Sequence, residues 1–189
     1  MPWILIIGGI VGIIGSFILT YDRLQIASNS SFVPNCNLNP IISCGSVMTS
    51  SEGSVFGFPN SFIGLAAFAA FVTIGVAMLA GAKFKRWFWL GLQAGTILGV
   101  IFVHWLFYQS VYTINSLCPY CISVWIVVIT SFVYVSFYNV DHGYWKISSK
   151  YKNFYDWKRR HHLDILVSWL VVIALLILKH FWYYYGHYF

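Results

Sequence analysis

This sequence predicts an all-α integral membrane protein with five spanning helices, and three observations predict it. Of 189 residues, 59% are hydrophobic and only 8% are charged, far below the roughly 25% charged residues of a soluble domain. Five apolar stretches each approach the roughly 20 residues that a helix needs to cross hydrocarbon. Those stretches are continuously apolar and do not alternate residue by residue, which selects helices over barrel strands as the way to satisfy backbone hydrogen bonds in lipid.

The first span, Pro2–Tyr21, has no basic residues before it, exceeds the roughly 7–15 apolar residues of a signal peptide and precedes no small-x-small cleavage site, so it reads as an uncleaved anchor. An outer loop over 22–58 follows. It is rich in Ser and Asn from Ser28 to Asn39, is punctuated by Pro34 and Pro40, and includes a glycosylation sequon, Asn29-Ser30-Ser31, that matters only in a eukaryotic lumen. Around Cys44 it turns apolar with Ile41, Ile42, Val47 and Met48. That pattern fits either a short helix lying over the mouth of the bundle or an ordinary amphipathic connector.

The remaining spans are Pro59–Ala80, Trp87–Tyr108, Cys118–Tyr138 and Leu163–Phe181, and length predicts one domain over 1–189. Two ladders of small residues, Gly8, Gly12 and Ser16 in the first span and Gly91, Gly95 and Gly99 in the third, predict close helix packing inside the bundle. His104, near the outer end of the third span, is expected to be a hydrogen-bonded structural residue more than a proton relay. The closing run Tyr183 to Phe189 reads as an interfacial aromatic belt.

Nine of the eleven basic residues share one side: Lys83, Lys85 and Arg86 after the second span, and Lys146, Lys150, Lys152, Lys158, Arg159 and Arg160 after the fourth. Only Arg23 and Lys179 fall on the other side, so the amino terminus is predicted to be cytoplasmic and the carboxyl terminus outside. Topology therefore accounts for the net charge of +6, and no nucleic-acid partner is expected. His161 and His162 adjoin the basic loop and are expected in solvent.

The four cysteines form two pairs, Cys36 with Cys44 in the outer loop and Cys118 with Cys121 at the outer mouth of the fourth span. Periplasm, cell exterior and endoplasmic-reticulum lumen are the compartments where disulfides persist. In Cys118-Pro119-Tyr120-Cys121 the spacing puts both sulfurs on one helical turn. The free amides and dipole of a helix start stabilise a thiolate at Cys118, and Pro119 suits a position where no amide hydrogen is needed. Cys121, one turn deeper, faces a hydrophobic acceptor better. A zinc site is disfavoured because seven residues separate the first pair, and haem attachment would need histidine where Ile122 stands. Two inert structural disulfides are the remaining alternative, although a bridge from Cys118 to Cys121 would constrain little that a helix does not already hold.

Cys36 and Cys44 eight positions apart, Ser50, the run Phe56-Gly57-Phe58-Pro59-Asn60-Ser61 with Gly64, and then Cys118-Pro119-Tyr120-Cys121, in that order, resemble the vitamin K epoxide reductase family. The resemblance implies a four-helix transmembrane bundle around a quinone plus a fifth transmembrane helix. It implies that Cys36 and Cys44 exchange disulfides with a thioredoxin-like partner and relay electrons to Cys118 and Cys121, which reduce the quinone. It further implies that Asn60 donates a hydrogen bond to a quinone carbonyl and that Ser50 orders the loop pair. The bound acceptor would be a ubiquinone, menaquinone or vitamin K type.

Trp125 stands where animal members that recycle vitamin K carry tyrosine; it is placed as a quinone-pocket residue, and its lone N–H donor argues against epoxide reduction. Many prokaryotic members carry a fused thioredoxin-like domain, which is not found here, so the partner is expected in trans. DsbB-like proteins run the same chemistry with the cysteine pairs in reverse order. The expectation is thus a prokaryotic-type enzyme of the inner membrane, with its active site on the outer side (or of the endoplasmic-reticulum membrane in a eukaryote), that makes disulfides at the expense of a quinone. The alternatives are a vitamin K quinone or epoxide reductase, or a transporter or scaffold with structural disulfides. Against the last, the charged residues within the predicted spans, Asp164 and Lys179, both fall near the ends of the fifth.

Overall fold

The computed structural model describes residues 1–29, 31–145 and 152–186. Lys146 and Lys150, Ser30 of the sequon and the last three residues of the aromatic run lie outside the described residues. The spanning helices are α1 (Pro2–Ser28), α3 (Ser61–Leu79), α4 (Arg86–Tyr108), α5 (Pro119–Asp141) and α7 (His162–His180). Three short helices intervene or follow: α2 (Cys44–Thr49) in the outer loop, α6 (Lys152–Arg160) before α7, and α8 (Trp182–Tyr185) after it. The five long helices are apolar enough to cross a membrane, as the sequence predicts.

One boundary moves with consequence. The first helix runs past the predicted Tyr21 to Ser28, because Asp22-Arg23-Leu24-Gln25-Ile26 has no Gly or Pro to stop it. Asp22 is therefore a buried carboxyl inside α1, which corrects the expectation that charges within the spans are confined to the ends of the fifth.

Close approach of backbones explains why α1 packs against both α3 and α5. A Cβ on Gly9 would lie 2.6 Å from a Val72 methyl, one on Gly12 would collide with the Phe68 ring, and one on Gly64 would collide with Ser16. The first small-residue ladder thus does what it predicts. The second does not: Gly91 and Gly95 have no atom within 4 Å of an added Cβ, and only Gly99 is packed, with Val128 3.3 Å away. That stripe borders a cavity between α3 and α4, and the packing expectation fails for it because a period of four places residues on one face without saying what the face meets.

Helix α7 has no buried residue among its own and hangs on the outside of the bundle. Hydrogen bonds fasten it at two levels. Trp169 Nε1 donates to His104 Nε2 at 3.0 Å in the middle, and His180 Nε2 pairs with Asn115 Oδ1 at 2.8 Å at the outer end. With His104 Nε2 accepting, its Nδ1 carries the proton and donates to the Val100 carbonyl at 2.8 Å, so His104 is a structural residue as expected. His161 is exposed, but His162 is half-buried with its ring edge-on to Tyr134, 5.6 Å away, which corrects the expectation of a solvated pair.

Candidate active site

The loop carrying the first cysteine pair is folded by its own asparagines. Asn39 Oδ1 accepts from the backbone N–H groups of Ile41 and Ile42 at 2.9 and 2.7 Å, an Asx turn that reverses the chain. Asn37 Oδ1 accepts from Gly45 N–H at 2.9 Å and from Ser43 Oγ at 3.3 Å. A side chain at position 45 would sit 2.9 Å from the Asn37 amide nitrogen, so only glycine admits this contact. The reversal brings Cys36 onto Cys44, and the two are joined in a disulfide with their Cα atoms 5.7 Å apart.

What carries this loop to α5 is a short parallel bridge between Ile42 and Leu117. Leu117 N–H donates to the Ile41 carbonyl at 2.6 Å, and Ser43 N–H donates to the Leu117 carbonyl at 3.0 Å. Cys44 stands two residues beyond Ile42 and Cys118 one beyond Leu117, and their Sγ atoms lie 3.2 Å apart. The segment leading into α5 is itself anchored, since Ser116 N–H donates to the Ser110 carbonyl at 3.0 Å and Ser110 Oγ donates to the Ser116 carbonyl. Asn115, with φ of 56°, takes the left-handed turn that this requires.

Cys118 caps α5 and Pro119 is its first residue, so the helix begins one position later than the predicted span. Both Cys118 and Cys121 are free thiols. Cys118 stands at the amino-terminal end of α5, where the helix dipole stabilises a thiolate. Cys44 and Cys118 are fully buried, beneath Leu19 and Met48. The apolar run is thus a short helix, α2, and its Cys44 and Met48 pack into the sulfur cluster with Leu19 of α1.

Below that cluster a cavity of about 370 Å³ opens between α1, α3, α4 and α5. Its outer end is lined by Cys121, Asn60, Ser16 and Ser61, its side by Trp125, Phe102 and the Gly91, Gly95 and Gly99 stripe, and its inner end by Phe71 and Leu92. A largely apolar chamber with a few polar groups at one end fits a flat hydrophobic ligand with ring carbonyls and a long tail. Asn60 Nδ2 donates to the Glu52 carbonyl at 2.6 Å and Asn60 Oδ1 accepts from Val55 N–H at 3.2 Å. An amide nitrogen has two hydrogens, so a second remains for a ligand. Trp125 is 4% exposed and shared between cavity wall and core, edge-on to Phe107 at 5.7 Å.

Of the seven sequence-predicted site residues, Cys36, Cys44, Cys118 and Cys121 form one cluster, and Cys121, Asn60 and Trp125 line the cavity. Ser50 joins neither group. It caps the Ser51–Ser54 turn, donating to the Val47 carbonyl at 2.9 Å and accepting from Gly53 N–H at 3.2 Å, and so fixes the segment between α2 and Asn60. Sequence reasoning passed over Asn37, Asn39, Gly45 and Leu117. The asparagines had a signal, since Asn-x-Asn-Pro is turn chemistry; the Ile42–Leu117 bridge had none, because it joins segments 75 residues apart.

The vitamin K epoxide reductase family matches residues 3–136, from the start of α1 well into α5, and so takes in all four cysteines. No curated protein matches the chain. With more than two thirds of its length matched and the two cysteine pairs standing over an apolar intramembrane cavity, this chain belongs to the vitamin K epoxide reductase family and is, in general terms, a membrane-embedded quinone-linked disulfide oxidoreductase.

Proposed function

We propose that the protein oxidises a thioredoxin-like dithiol partner and passes the electrons through Cys36–Cys44 and then Cys118–Cys121 to a quinone in the cavity, residues 1–189 acting as one catalytic unit. The observation that carries this reading is the 3.2 Å approach of Cys118 Sγ to Cys44 Sγ while Cys44 is bonded to Cys36. Three sulfurs in that arrangement are set for disulfide exchange in either direction.

In the forward direction, a partner thiolate attacks Cys36, the less buried member of the bridge, and Cys44 leaves as thiolate. The partner's second thiol releases Cys36 and closes the partner's disulfide. With the inner pair oxidised, the Cys44 thiolate attacks Cys118 and expels Cys121; Cys36 then displaces Cys118 from Cys44 and restores the loop disulfide. The result is the state seen here, with the loop pair oxidised and the inner pair reduced. The quinone supplies a two-electron, two-proton acceptor, and when Cys118 and Cys121 re-form their disulfide each gives up one proton, so the balance closes. Cys121 borders the cavity, Asn60 offers an amide N–H to a ring carbonyl, and α2 with Met48 shields the sulfurs from water. The active site would face the outer side of a prokaryotic inner membrane, or the endoplasmic-reticulum lumen, in line with the distribution of basic residues.

The deciding measurement is anaerobic turnover of the detergent-purified protein with a reduced thioredoxin-like dithiol and a soluble quinone, followed by quinone absorbance. Wild type should turn over, and Cys118→Ala and Cys121→Ala should not. No turnover in the wild type, with both cysteine pairs locked as inert disulfides, would favour a structural or transport role.

A further inference from the structure

A second cavity, of about 450 Å³, lies at the opposite end of the molecule between α4, α5, α6 and α7. Most of its lining belongs to the part of the chain beyond the family match. Ile97 of α4, Phe132 of α5, and Ile165 and Trp169 of α7 form apolar walls. Phe154 and Lys158 of α6 stand at its rim, with the Lys158 amine 4.6 Å from the centre of the Phe154 ring.

Helix α6 is held in place as the roof of this space. Tyr155 donates to Asp141 Oδ1 at 2.8 Å and to the Phe137 carbonyl at 3.2 Å, and Arg159 pairs with the same carboxylate at 3.0 Å. Burial and then the bond to Asp141 push the Tyr155 phenol well above its ordinary value, so it stays a donor. The rest of the helix has the character of an interfacial element: Phe154 and Trp157 are about half exposed with their rings stacked, and four basic residues stand against the single acid Asp156. Asp141 takes Arg159. Among the described residues Lys158 has no carboxylate partner, and Asp156, two positions away, does not face it on a helix.

We propose that this cavity seats one acyl chain of an anionic phospholipid from the leaflet at the basic end of the bundle, with the lipid phosphate on Lys158. A walled apolar slot with a cation free of any carboxylate among the described residues at its mouth is complementary to that one class of molecule: the slot takes an acyl chain, which a water-soluble anion lacks, and the cation distinguishes an anionic lipid from a zwitterionic one. The site depends neither on the cysteine chemistry nor on which side of the membrane is which.

Native mass spectrometry of the full-length protein, titrated in mild detergent with phosphatidylglycerol or phosphatidylcholine, tests this. Wild type should retain phosphatidylglycerol in preference, Lys158→Gln should lower that retention about fivefold, as one surface cation is worth, and Ile97→Trp should lower retention of both lipids by filling the slot. Millimolar inorganic phosphate should not displace the lipid. Since a variant can misfold, wild type is also labelled with phosphatidylglycerol carrying a photoreactive acyl chain, and adducts are expected on peptides holding Phe132, Ile165 or Trp169. Equal retention of the two lipids, displacement by phosphate, retention of quinone in place of phospholipid, or adducts confined to other helices would each overturn the proposal.

Discussion

The outer loop and the head of α5 each present two cysteines, yet their surroundings differ in kind. Cys36 and Cys44 are joined within a loop whose shape depends on side chains bonded to backbone, chiefly Asn37 and Asn39. Cys118 and Cys121 are set by a helix start that backbone bonds of Ser116 and Leu117 anchor. A loop closed by local hydrogen bonds can open to a protein partner at modest cost, because each such bond contributes only about 1 kcal/mol net. A pair fixed at a helix end holds one sulfur at the cavity wall and the other at the loop. The difference suits the roles proposed above, outward exchange for the first pair and inward delivery for the second, and the Ile42–Leu117 bridge is where the two regions meet.

The contrast breaks completely if the meeting point is removed: Cys44→Ser should reduce dithiol-driven quinone reduction to background, while leaving the inner pair reducible by a small thiol that needs no loop, as read by thiol labelling. Cys36→Ser should instead leave Cys44 free to bond Cys118, and non-reducing peptide mapping after quinone addition should find that cross-link in most of the protein. If Cys36→Ser gives a Cys44–Cys121 link, the order of transfer proposed here is wrong.

Smaller changes sharpen the comparison. Gly95→Leu puts a side chain into the open space of the cavity, and the KM for a long-tailed quinone should rise roughly tenfold with the disulfide state unchanged, a size of effect usual for a pocket altered by a few methylenes. Asn60→Ala removes one ligand hydrogen bond and loosens the Glu52–Val55 segment, and should cost about fivefold in kcat/KM, in line with roughly 1 kcal/mol for one bond. Trp169→Phe, far from both pairs, loses only its bond to His104; thermal stability should fall by about 0.6 kcal/mol, the usual scale for a bond between membrane helices, and turnover should not change.

Much of this was legible from residue order. Continuous apolar runs gave the five long helices within a few residues, because in lipid a helix is the economical answer to every backbone polar group. Cys118-Pro119-Tyr120-Cys121 announced a helix start with two sulfurs on one turn. The extension of α1 to Ser28 was missed because hydropathy reports where lipid ends and not where a helix does. The glycine stripe of α4 was read as a packing face and borders a cavity, since small residues permit close contact without requiring it. Ser50, grouped with the loop pair, caps a neighbouring turn.

The sequence by itself determined the class of the protein, its spans, its two dithiols and the largely apolar interior in which they act, since these follow from local composition and from spacings of a few residues. That Cys121 borders the cavity follows from its place one turn deeper in the helix, but only the tertiary structure decided that Cys44, and not Cys36, is the sulfur that meets Cys118, and that their Sγ atoms stand 3.2 Å apart. Those facts depend on bringing residue 42 beside residue 117. Such long-range pairing leaves no trace in local pattern, because the free energy that selects it is spread over the packing of α1 against α3 and α5 and not held by either segment alone.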